Sequence, residues 1–166
     1  MHVCGDSLRC DFCHTIEVPD EGDDGVRNLV EATDKSCPIC TTALSKATLD
    51  QTPILYCTTC RGMAIPMLAF QALVQNERFR PSPVVPPNPT TSDLNRHIPC
   101  PSCHHPMEAH FYCGGPGNVV IDTCENCLLN WLDYNELNRI AHGTDSFENS
   151  SLRLQNSEQP TSPWLT

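Results

Sequence analysis

Ten of the twelve cysteines in this 166-residue chain fall into five C-x-x-C pairs: Cys10/Cys13, Cys37/Cys40, Cys57/Cys60, Cys100/Cys103 and Cys124/Cys127. Cys4 and Cys113 stand apart. Four of the pairs combine further, into Cys37-x2-Cys40-x16-Cys57-x2-Cys60 and Cys100-x2-Cys103-x20-Cys124-x2-Cys127. The spacing suits Zn²⁺, a tetrahedral ion that takes four sulfurs at about 2.3 Å. Two intervening residues make a tight turn that aims both thiolates at one point, and a hairpin carries the second turn opposite the first. The N-terminus, Met1-His2-Val3-Cys4-Gly5-Asp6, has neither the basic patch nor the apolar stretch of a secretory signal. We therefore expect a cytoplasmic protein, whose thiols bind metal rather than form disulfides.

The two quartets are internal repeats. Both open Cys-Pro-x-Cys, at Pro38 and Pro101, and both close with a short apolar run that leads into a helical pattern. In the second repeat Met107, Ala109, Phe111 and Cys113 alternate with Glu108, His110 and Tyr112, the period of a strand. Gly114-Gly115-Pro116-Gly117 is a turn, and 118–123 returns as a second strand. Cys113 then reads as a small apolar residue of its strand face, not as a fifth ligand. Asp133 and Glu136 have the spacing of a helix-capping box, which accounts for this carboxylate pair without catalysis. Leu137, Ile140 and Ala141 fall on one helical face. In the first repeat Pro66 suits a helix's first turn, and Phe70, Leu73 and Val74 form the apolar stripe.

Three strings carry a family resemblance: Cys100-Pro101-Ser102-Cys103, Val120-Ile121-Asp122-Thr123-Cys124-Glu125-Asn126-Cys127 and Trp131-Leu132-Asp133-Tyr134-Asn135-Glu136-Leu137. They resemble the transcription factor IIB-type zinc-finger family of short zinc ribbons. Repeat one is less similar, with Ala64, Ile65 and Pro66 where repeat two has Trp131, Leu132 and Asp133. Leu129 stands where the family usually has the glycine that Gly62 supplies, a departure expected to perturb the turn after the knuckle. The resemblance implies zinc binding, and transcription through the family's name alone.

The expected fold is a small, metal-stabilised α+β protein: two zinc ribbons, each a β-hairpin with two zinc knuckles followed by a short helix, joined by a proline-rich linker. We divide the chain into an acidic N-terminal segment (1–36), ribbon one with its helix (37–80), the linker (81–96), ribbon two with its helix (97–141) and a disordered tail (142–166). The linker, with five prolines between Pro81 and Pro89, makes the ribbons tethered modules. In the N-terminal segment a third zinc site can be drawn from Cys4, Cys10 and Cys13 with His2 or His14; the alternative is an oxidisable Cys10/Cys13 pair. His97, His104, His105 and His110 lack a ligand-pair spacing and read as surface residues. Trp131 is expected to pack locally, with a partner-facing role as its alternative; Trp164 is a tail aromatic.

Twenty acidic against ten basic residues give a net charge of −10, the wrong sign for tracking phosphates. Each filled four-thiolate site adds a further −2, so nucleic acid is a disfavoured partner. All eight ribbon ligands are cysteines, and a closed site leaves no position for substrate or activated water. No phosphate loop, dinucleotide-binding glycine motif or serine nucleophile elbow is present. We expect a non-catalytic zinc protein without a small-molecule substrate, acting as a protein-interaction or regulatory adaptor. The competing readings are a thiol–disulfide switch and a nucleic-acid-binding ribbon.

Overall fold

Ribbon strands are short because each is interrupted by a metal knuckle, so the fold depends on how such strands are joined. The computed structural model describes residues 2–80, 94–112 and 119–142. Residues 81–93 of the linker, Cys113 with its glycine turn, and the tail with Trp164 lie outside the described residues. Three strands open the chain: β1 (His2–Cys4), β2 (Ser7–Arg9) and β3 (Ile16–Glu17), an antiparallel sheet of their own. Val26–Ser36 then forms β4, followed by β5 (Ala43–Leu49), β6 (Thr52–Tyr56), β7 (Met63–Pro66) and helix α1 (Met67–Glu77). Repeat two supplies β8 (Glu108–Tyr112), β9 (Val119–Cys124), β10 (Leu129–Leu132) and helix α2 (Glu136–His142).

The repeats are not tethered beads. Strands β4 to β10 make one seven-stranded antiparallel sheet in the order β4-β5-β6-β7-β10-β9-β8. Its central seam is the pairing of β7 with β10, Met63 opposite Leu132 and Ala64 opposite Trp131. When the two quartets are aligned, Ala64 and Trp131 are equivalent positions, so an approximate two-fold axis passes through that pair. The contact is the isologous kind that joins two copies of one protein. The reason is burial: each ribbon's last strand has an apolar residue on both faces and must be covered on both.

One face of the sheet is covered by the helices. Phe70, Leu73 and Val74 of α1 and Leu137 and Ile140 of α2 pack with Leu49, Ile54, Ile65, Ile121 and Leu132 in a single core drawn from both repeats. These are the helical stripes expected from the sequence. Pro66 differs by one position, serving as the residue before α1 with φ −59°. Only half of the Asp133/Glu136 box forms. The Asp133 N–H donates to Glu136 Oε2 at 2.8 Å, while the Asp133 carboxylate turns instead to Trp131 Nε1 and Arg96.

The other face carries a second cluster: Leu44, Ala64, Ile98, Met107 and Trp131 packed among the cysteines of both quartets. Trp131 is fully buried there, so the partner-facing role is overturned in favour of packing. Gly62 makes room for it, since a Cβ at Gly62 would overlap the indole at Cζ2. The alternation expected along β8 holds only in part. Met107 is buried and Phe111 is 41% exposed, whereas Tyr112 turns to the helix face and meets Phe70 edge-on at 5.1 Å. As the sheet's edge, β8 is covered only where a helix or a metal site reaches it.

Candidate metal centres

Four knuckles share one backbone pattern. The first cysteine's N–H donates to the carbonyl five residues on, and the N–H four residues on donates to that cysteine's carbonyl. These bonds are 2.8 and 3.0 Å at Cys37, 2.9 and 2.8 Å at Cys57, and 2.8 and 2.9 Å at Cys100, with 2.9 Å for both at Cys10. At Cys124 the corresponding Leu129 is its cross-strand partner. In all five pairs the residue after the second cysteine is left-handed: His14, Thr41, Arg61, His104 and Leu128, with φ between 53° and 61°. The left-handed position after the last knuckle is therefore Leu128, and Leu129 begins β10. The glycine at Gly62 answers to Trp131 rather than to the turn.

The knuckles meet in pairs. Cys37, Cys40, Cys57 and Cys60 bring their sulfurs within 4.8 Å of one another, and so do Cys100, Cys103, Cys124 and Cys127. Individual separations are 3.5 Å (Cys37–Cys60), 3.4 Å (Cys40–Cys57) and 3.6 Å (Cys103–Cys124). A tetrahedral ion with 2.3 Å bonds spaces its sulfurs about 3.8 Å apart, so the clusters are close to liganding size. In each of these four quartet knuckles the first cysteine is buried and the second half-buried. Backbone N–H groups point at the inner sulfurs: Ile39 to Cys37 at 3.4 Å, Cys60 to Cys57 at 3.5 Å and Ser102 to Cys100 at 3.4 Å. Such donors stabilise thiolates.

The electrostatics ask for a cation. Against the desolvation of its burial, the Cys57 thiol is drawn down to about 6 by the Cys60 N–H and the Thr42 hydroxyl. Burial and the neighbouring Cys57 then push Cys60 far up. In the second cluster the His105 N–H brings Cys103 to about 6, while the hydrogen bond with Cys103, burial and the neighbouring Cys100 raise Cys127 to about 12. Some thiols of each quartet ionise easily and others are held protonated, so four thiolates together need a divalent ion to offset their charge. Soft sulfur ligands in tetrahedral sets of four select Zn²⁺.

The fold thus gathers the eight ribbon cysteines into the two quartets that their spacing implied. Residues 99–143 match the transcription factor zinc-finger family. The matched span holds all four ligands of the second ribbon together with Trp131, Asp133 and Glu136. No curated protein and no solved structure matches the chain. Zinc, at two sites, is what the two clusters and this zinc ribbon support.

The N-terminal cysteines differ. Cys4 pairs with Ser7 at the turn end of its hairpin, and His2 lies opposite Arg9 at the other end, beside the knuckle. Two residues of strand, about 7 Å, separate the levels of Cys4 and His2, so Cys4 is carried away from Cys10/Cys13. Among the described residues no group of three or more ligands forms around that pair. The site drawn from Cys4, Cys10 and Cys13 is therefore not assembled within the chain's described residues. His97, His104, His105 and His110 are all exposed.

The residue the sequence reading missed is Arg96, placed at the end of the linker. It reaches into ribbon two, pairs with both Asp122 and Asp133, and is three-quarters buried, while Asp122 is wholly buried. Burial pushes the Asp122 carboxyl up, and Arg96 offsets this. Arg96 thereby ties β9 to the entry of α2, beneath Trp131, whose Nε1 donates to Asp133 at 3.0 Å. On the ribbon-one side Arg61 plays a related part. It pairs with Asp23 and Asp24, and its guanidinium lies 4.2 Å from the centre of the Tyr134 ring. Part of the acidic run Asp20-Glu21-Gly22-Asp23-Asp24 is thus folded against the seam between the ribbons, and Tyr56 donates to Asp24 at 2.8 Å.

Proposed function

We propose that this protein is a non-catalytic zinc scaffold: a tandem zinc ribbon that presents a rigid surface to a protein partner, as an adaptor or regulator in the cytoplasm. The observation that carries this reading is that both quartets are closed. Each supplies four thiolates from the chain itself, leaving no position for a substrate or an activated water. The net charge of −10 argues against nucleic acid as the partner. Ribbon one's Arg61 and Arg80, which would head a basic face, are engaged by Asp23, Asp24, Asp50 and Glu77.

Thiol titration of the zinc-loaded protein tests the reading. The eight quartet thiols should resist modification until a chelator removes zinc. Zinc release and disulfide formation in a glutathione buffer of cytoplasmic poise would replace it with the thiol–disulfide switch. Binding to single- or double-stranded nucleic acid with a steep salt dependence would replace it with nucleic-acid recognition.

A further inference from the structure

Of the five C-x-x-C knuckles, four meet in pairs within the chain, and among the described residues no group of three or more ligands gathers around Cys10/Cys13. It is nevertheless built like the others. The Cys10 N–H donates to the Thr15 carbonyl and the His14 N–H to the Cys10 carbonyl, and His14 has a left-handed φ of 58°. Cys13 Sγ lies 3.1 Å from the Thr15 hydroxyl, as Cys40 Sγ lies 3.1 Å from that of Thr42. A loose loop has no reason to hold that geometry. We infer that Cys10 and Cys13 form half of a zinc site that a second copy of this chain completes, the two knuckles meeting across a two-fold axis with one ion between them.

One chemical argument and two observations support a second copy as the occupant. Two identical knuckles related by a two-fold axis supply four sulfurs in two equivalent pairs, which a tetrahedral ion accepts without distortion. The two ribbons of the chain already associate about an approximate two-fold axis, through Ala64 and Trp131. The half-site is also framed by apolar side chains left in solvent. Phe12, between the two cysteines, is 96% exposed, and Ile16 and Val18, on one side of the segment that leaves the knuckle, are 62% and 56% exposed. The residues equivalent to Phe12 in the paired knuckles are Ile39, Thr59, Ser102 and Asn126. A two-fold contact at the ion would bring these apolar groups of both copies together, which solitary exposed residues do not require.

The test uses the full, reduced chain loaded with zinc, measured by native mass spectrometry, sedimentation velocity and elemental analysis. The expected species is a dimer that carries two ions per chain plus one shared by the pair. Replacing both cysteines (Cys10→Ser with Cys13→Ser) should give a monomer with two ions and unchanged far-ultraviolet circular dichroism. Cobalt loading should show the same loss of one thiolate-bound ion per pair. A monomer with two ions in the unmodified chain would overturn the inference. So would a monomer with three ions that loses the third on His2→Ala, which places closure inside one chain. A dimer that survives the double substitution would locate the interface elsewhere, and one abolished by added reductant at an unchanged zinc count would be a disulfide link.

Discussion

The two ribbons share their ligands and their knuckles, and they differ at the seam where they meet. Ribbon one brings Gly62 and Ala64, ribbon two brings Leu129 and Trp131 at the equivalent positions. The indole fills the space that the small residues leave, between the two metal clusters. Ribbon two also holds a polar anchor, Arg96 with Asp122 and Asp133, whereas at its counterpart to Asp133 ribbon one has Pro66. Two identical halves would have placed two tryptophans, or two alanines, at one point on the axis. The difference teaches that the repeats have become knob and socket, and that neither is a complete fold.

That comparison is open to attack in order of expected effect. Removing one ligand should do most. With Cys124→Ser the second ion is lost, and with it about 10 kcal/mol of folding free energy; because the sheet is shared, ribbon one should lose order as well. Survival of a native ribbon-one spectrum with one bound zinc would restore the picture of tethered modules. Trp131→Ala should cost about 3–5 kcal/mol, visible as a lower thermal midpoint. A bulky side chain at Gly62 should lower it comparably, from the opposite half of the molecule. If Gly62→Leu leaves ribbon two unaffected, the socket is not a socket.

The polar anchor comes next. Arg96→Met leaves the wholly buried Asp122 without its cation and takes one of two partners from Asp133, and should destabilise by about 2–4 kcal/mol. A neutral result in urea unfolding would remove Arg96 from the account. A smaller effect is set by pH. Burial raises the Glu136 carboxyl to about 8, even though the Asp133 N–H draws it down. The native state then keeps a proton that the unfolded chain sheds, so stability falls as pH rises through the interval up to about 8. Glu136→Gln keeps an acceptor for that N–H and removes the titration. It should flatten the loss between about pH 4.5 and 8 and gain about 1–3 kcal/mol at the upper end. A pH profile unchanged by the substitution would show that Glu136 stays ionised.

How much of this was legible follows the range of the interactions. The ligand quartets could be read because knuckle geometry is local, two residues between cysteines and one hairpin between knuckles. The helical stripes could be read because their period lies within a few turns. The β7–β10 seam could not, since it joins strands separated by the linker and nothing in Ala64-Ile65-Pro66 alternates; a strand covered on both faces shows no period of two. Arg96 was hidden by its neighbourhood of prolines and by the habit of reading an isolated charge as solvated. Gly62 was visible as a glycine, but its cause, an indole 69 residues along the chain, was not. One signal was available: Trp131 and Ala64 at matched positions of a duplicated unit are what a two-fold contact between unequal halves requires.

The central claim is that the seam makes the two ribbons one cooperative unit. Native-state hydrogen exchange on the zinc-loaded protein tests it most directly, with the amides of Leu55 and Ala64 reporting on ribbon one and those of Ile121 and Asn130 on ribbon two. We predict a common opening free energy for the two sets, and a common decrease in both when Trp131 is replaced by alanine. Two separate opening energies, with Leu55 and Ala64 still fully protected in the Trp131→Ala protein, would contradict it.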